Sequence, residues 1–128
     1  MVKFMKLNPD CIRDVLIVIE ANTSLTEKIF FSTLNTYNLN YSYDEISYHI
    51  KQCELNQFID NVHWLPNTFC EINYLTPKGH EFLTNIRSNT VWNKTISIAN
   101  KIGSTSLDVL VKVSTGVLTQ MINKHLGY

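Results

Sequence analysis

The stretch that most constrains this chain runs from Ser42 to Ile59 and on through two β-like runs to Leu75-Thr76-Pro77-Lys78-Gly79. Ser42 is a good N-cap, Asp44 and Glu45 suit the positive end of a helix dipole, and Ile46, Ile50 and Cys53 recur at helical spacing. A helix here turns Ser47, Tyr48, Lys51 and Gln52 outward and the apolar three inward. The runs Phe58 to Leu65 and Phe69 to Leu75 are separated by Pro66-Asn67-Thr68, so they read as a hairpin with Pro66-Asn67 at its tip and Trp64 beside it. Thr76 then offers a cap and Pro77 the first position of another helix, striped by Phe82, Leu83 and Ile86.

Upstream, Asn8-Pro9-Asp10 is a helix start, Ile12, Val15, Leu16 and Ile19 share one face, and Asn22 offers a stop. Residues 25–41 are ambiguous. Ser24-Leu25-Thr26-Glu27 has the form of a capping box, whereas Lys28-Ile29-Phe30-Phe31-Ser32-Thr33 is β-branched and aromatic. A helix there has to survive Thr33, Asn35, Thr36, Tyr37 and Asn38, so a short strand is expected, followed by a loop from Asn38 to Tyr41. Downstream, Ser88 and Asn89 interrupt the helix from Pro77, Trp92, Ile96 and Ala99 continue on a new one to Lys101, and Gly103 ends it. A last helix, from about Ser106 to Leu126, presents Leu107, Leu110, Val111, Leu118, Met121 and Ile122. The expected class is α+β. Residues 5–88 form a winged-helix-like core (helix, short strand, helix, β-hairpin wing), and C-terminal helices over 89–128 pack on that core or on a second copy.

Composition narrows the class further. The chain has 128 residues and is 45% hydrophobic and 17% charged, with four Gly and three Pro, which excludes disordered and fibrous proteins. Cys11, Cys53 and Cys70 are odd in number and widely spaced, with no Cys-x-x-Cys pair, so they read as reduced thiols rather than a disulfide framework. The opening Met1-Val2-Lys3-Phe4-Met5-Lys6 lacks an apolar core of signal-peptide length, and a cytoplasmic location is expected. Formal net charge is zero, yet residues 1–75 carry five Lys/Arg against nine Asp/Glu while residues 76–128 carry six against two, a segregation that favours self-association or an oriented partner.

Three stretches carry a resemblance. Met5-Lys6-Leu7-Asn8-Pro9-Asp10-Cys11-Ile12-Arg13-Asp14, Tyr43-Asp44-Glu45-Ile46-Ser47-Tyr48-His49-Ile50, and Gly79-His80-Glu81-Phe82-Leu83-Thr84-Asn85-Ile86-Arg87 with Val91-Trp92 look like a family of short proteins of Gram-positive bacteria and their phages, a domain of unknown function. That resemblance implies no catalytic or binding residues. More distantly, the central helix through Leu75-Thr76-Pro77-Lys78-Gly79 resembles winged-helix transcriptional regulators, which implies DNA binding. Two departures stand against it: no clear helix between residues 25 and 41 completes a helix-turn-helix, and the wing carries Asp60 and Glu71 with no Lys or Arg.

The chemistry offers little. His49 and Cys53 lie at i, i+4 with His63 and Cys70 on the facing hairpin, so a zinc site is conceivable, but Cys53 holds a core position and the spacing is unlike a zinc finger, so no metal and no other cofactor is expected. His80 beside Glu81 has no accompanying nucleophile and points to a different face, so no enzyme is expected and no catalytic residue is named. Arg87, Lys94 and Lys101 are seven apart and would form a basic stripe on one unbroken helix, although an ordinary solvated face explains them as well. The last helix has too few cations for a membrane surface, so no membrane contact is expected, and its apolar face suits a homodimer. Two functions follow. In the first, a phage or prophage regulator sets Ser47, Tyr48, Lys51 and Gln52 against duplex DNA, with Arg87, Lys94 and Lys101 on phosphates. In the second, a protein-binding module such as a modulator of a host protein complex makes contact through Trp64 and Tyr48.

Overall fold

The computed structural model describes residues 5–36, 40–66 and 70–128. They divide into two compact units, Met1–His80 and Glu81–Tyr128.

In the first unit, α1 (Pro9–Asn22) begins where the sequence places it, with the Asn8 side chain accepting from the backbone N–H groups of Asp10 and Cys11. Its Cys11, Ile12, Val15, Leu16, Val18 and Ile19 are buried. The Ser24 hydroxyl accepts from the N–H groups of Thr26 and Glu27, and the Ser24 N–H donates to the Glu27 carbonyl, so the apparent capping box closes a turn instead of opening a helix. That turn feeds β1 (Ile29–Phe30), which passes directly into α2 (Phe31–Thr36).

The expected strand over 28–33 is therefore only two residues long, and the helix judged unfavourable is present. Burial decides this, because Phe31 and Leu34, three residues apart, are 2% and 0% exposed, and packing of that kind outweighs the modest helix propensity of the segment. The loop expected from Asn38 to Tyr41 begins within residues 37–39, outside the described residues.

α3 (Tyr43–Leu55) is the organising helix. The Ser42 hydroxyl accepts from the Glu45 N–H while the Glu45 carboxylate accepts from the Ser42 N–H, closing a capping box, and Ile46, Ile50 and Cys53 are buried as their spacing requires. Two long-range hydrogen bonds join it to α1. The His49 ring receives the Asn8 N–H on Nε2 at 2.7 Å, and the Tyr41 hydroxyl, just ahead of α3, donates to Asp14 at 2.8 Å. Gln57, in the left-handed region at φ 62°, turns the chain out of the helix toward the sheet.

β2 (His63–Trp64) and β3 (Cys70–Ile72) are the hairpin, with His63 opposite Glu71 and Trp64 opposite Cys70. A bridge between Ile59 and Leu75 extends its base. Asn67, half of the expected tip, lies outside the described residues. The sheet is antiparallel with order β1-β3-β2, Ile29 facing Ile72 across the first pair.

α4 (Pro77–Ile86) crosses from the first unit into the second. In the second unit, α5 (Asn89–Ile102) is capped by the Ser88 hydroxyl accepting from the Val91 N–H, and it starts three residues ahead of Trp92, the first residue of the apolar stripe that marked it. Gly103 ends it at φ 88°, the left-handed conformation that glycine adopts without strain. α6 (Leu107–Leu126) starts under the Ser106 cap and buries Leu107, Leu110, Ser114 and Val117. Met121 and Ile122, expected on its apolar face, are exposed.

Candidate functional site

The outward face of α3 is not quite the one its spacing predicts. Ser47 is buried at 6% exposure, so it is not available to a ligand; it sits on the flank of the inward face set by Ile46, Ile50 and Cys53. Tyr48 and Gln52 are half-buried, and Lys51, Asp44 and Leu55 are exposed.

Lys51 is committed locally. Its ammonium donates to the Glu54 carboxylate at 2.9 Å and lies 5.6 Å from the centre of the Trp64 ring. The same carboxylate accepts the Trp64 indole N–H at 3.0 Å and the Val62 N–H at 3.1 Å. Burial opposes ionisation of Glu54, but the bonds from Lys51 and Trp64, the Lys51 charge and the Val62 N–H outweigh it and hold the carboxyl below the usual range. Glu54 therefore fastens the end of α3 to β2 and presents Trp64 in a fixed pose. The sequence reading missed it. The available signals were the i, i+3 spacing from Lys51 and the need of a half-buried indole for an acceptor.

Leu55 and Leu65, next in sequence to Glu54 and Trp64, are 63% and 41% exposed, and the cluster itself offers a fixed, half-buried aromatic ring and one neutralised cation. Glu54 also borders a cleft of about 540 Å³ lined by Gln57, Ile59, Asp60, Asn61, Thr76, Pro77 and Lys78.

The motif that resembles a wing closure has a structural account. The Thr76 hydroxyl accepts from the Gly79 N–H and donates to the Gln57 carbonyl, while the Thr76 N–H bonds the Phe58 carbonyl at 3.0 Å. A Cβ on Gly79 would lie 2.1 Å from the Phe58 oxygen, so only glycine lets the start of α4 approach this closely. On the sheet, Glu71 pairs with Lys28 at 3.9 Å.

The conceivable zinc ligands do not assemble. The Glu45 carbonyl can only accept and the Asn8 N–H can only donate, so the His49 Nδ1 carries the proton and Nε2 the lone pair, and both are engaged with backbone. Among the described residues no group of three or more His, Cys, Asp or Glu is placed to hold a metal ion. Cys11, Cys53 and Cys70 are buried free thiols. Burial, reinforced at Cys11 by the Glu45 and Asp14 carboxylates and at Cys70 by Glu54, pushes Cys11 and Cys70 up to about 12, and Cys53 is raised as well. These are not activated nucleophiles.

The basic stripe is broken. Arg87 lies in the turn between α4 and α5, while Lys94 and Lys101 are exposed on α5, so the three do not share one helix. Among the described residues, no helix is long and apolar enough to cross a membrane.

Residues 6–106 match the model of a family described as "Hypothetical protein (DUF2513)". The chain belongs to the DUF2513 family. The match runs from the residue after Met5 to Ser106, the cap of α6, and so takes in the whole α3–β2 surface. A Haemophilus influenzae protein described as "Uncharacterized protein" is 30% identical to this DUF2513 chain over 121 residues, covering 92% of the chain and 99% of the relative. No solved structure matches.

Proposed function

We propose that this DUF2513 protein is a non-catalytic, winged-helix-like module whose α3–β2 surface binds another protein. The order α1-β1-α2-α3-β2-β3 with sheet order β1-β3-β2 supports the winged-helix reading, since α2 supplies the short helix before α3 that the sequence did not reveal. The observation that carries the choice of partner is the Glu54 cluster. Duplex DNA is recognised through cations free to meet phosphate, and Lys51, the cation of α3, is neutralised by Glu54 at 2.9 Å. What α3 and β2 offer instead is a rigid aromatic anchor, with exposed leucines next to it and to Glu54 in sequence, of the kind on which protein interfaces concentrate their energy. A phage-encoded modulator of a host protein complex is a role this surface suits.

The test is affinity capture from a bacterial lysate with the wild-type chain, Trp64→Ala and Leu55→Asp. A protein retained by the wild type and lost with both variants, each keeping the native circular dichroism, supports the reading. Equal capture by all three removes the surface from consideration.

DNA binding is retained as the second reading because Lys94 and Lys101 on α5 are exposed and residues 81–128 hold only Glu81 and Asp108 as acids.

A further inference from the structure

The hairpin of α5 and α6 holds an open groove along one flank. Four residues join the two contacting helices, so they run antiparallel, and Ile98, Val117 and Met121 line a groove of about 320 Å³ together with Lys94, Gln120 and Lys124. Val117 is buried, while Ile98 and Met121 are each 37% exposed, so the groove is open and its lining is shared equally between apolar and polar side chains. Its charge has one sign. Asp108 is bound to Lys112 at 3.0 Å, and among the described residues neither Lys94 nor Lys124 is in an ion pair.

We propose that this groove docks an amphipathic helix of a partner protein that carries apolar residues at helical spacing flanked by Asp or Glu. This goes beyond the α3–β2 surface and rests on the protein-binding reading for the class of partner. A helix suits a groove between two helices, because its apolar stripe can lie along Ile98, Val117 and Met121 while its own backbone hydrogen bonds stay intact. It is acidic because Lys94 and Lys124 lie on the same groove as the apolar contacts. A second α5–α6 hairpin laid groove on groove would bring two more lysines against these two, so charge disfavours that pairing.

The experiment uses the full chain and two labelled synthetic helical peptides with identical leucine positions, one flanked by Glu and one by Lys, followed by fluorescence anisotropy. The Glu peptide should bind, and the double variant Lys94→Glu with Lys124→Glu should weaken it about tenfold while strengthening the Lys peptide. Both substitutions are at exposed positions, and circular dichroism confirms that each variant is folded. Ile98→Asp should abolish binding of either peptide. None of the groove variants alters a residue of the α3–β2 surface, so failure here and failure of capture through that surface are separately visible. Equal binding of the two peptides, indifference to the charge reversal, or a self-associated chain dispersed by Met121→Asp in sedimentation would each overturn the proposal.

Discussion

Single residues show how much of the Leu75–Gly79 motif belongs to folding. Gly79→Ala forces a Cβ into the Phe58 carbonyl, a backbone atom that cannot rotate away, and should cost about 3 kcal/mol or more in urea unfolding. Gly116→Ala is the control, since a Cβ there meets nothing within 4 Å inside α6, and it should stabilise by about 0.5–1 kcal/mol. The thiols set a pH dependence. Their folded pKa values lie above the ordinary 9.0, with Cys11 and Cys70 near 12, so their contribution is fully present below pH 9 and lost as pH rises toward 12. Unfolding free energy should fall between these limits by up to about 1.4 kcal/mol per pH unit per thiol. A chain whose cysteines are all replaced by alanine should show a shallower decline, and an unchanged slope would mean that other groups set it. Not all residue roles were legible. The Ser42 cap and the buried Ile46, Ile50 and Cys53 follow from local spacing, whereas the Asn8–His49 bond spans 41 positions and leaves no local trace.

At the scale of elements, local signals located the starts of α1, α3 and α6 because capping is a short-range interaction. They failed at α2, where Phe31 and Leu34 are held by burial against residues distant in sequence. They also misjudged Ser47, since a residue on the flank of a helix is covered or bare according to what packs beside it. α3 offers a direct check of its faces. Ile50→Ala should cost about 2–5 kcal/mol through lost burial and the cavity left behind, and Gln52→Ala should cost little. Similar shifts of the denaturant midpoint at the two positions would mean that the inward and outward faces are misassigned. The surface built by Lys51, Glu54 and Trp64 was half legible: Trp64 stood out as an aromatic beside a turn, while the carboxylate that fixes it emerged only when α3 and β2 were brought together.

For the whole molecule, the segregation of charge along the chain is the broadest clue to partners. Residues 1–75 hold nine of the eleven acids, and the α3–β2 surface lies among them with its cation neutralised, while the basic excess lies in the remainder. That distribution suits protein partners at the α3–β2 surface better than a polyanion, and it is the central claim. It is tested most directly by titrating the full chain against random-sequence duplex DNA at about 50 and about 200 mM salt, where each phosphate neutralised would contribute a slope of about −0.9 in log K against log salt. The account predicts no measurable affinity at the lower salt. Binding that falls steeply with salt and weakens in Lys51→Ala would contradict it and restore duplex DNA as the ligand of α3.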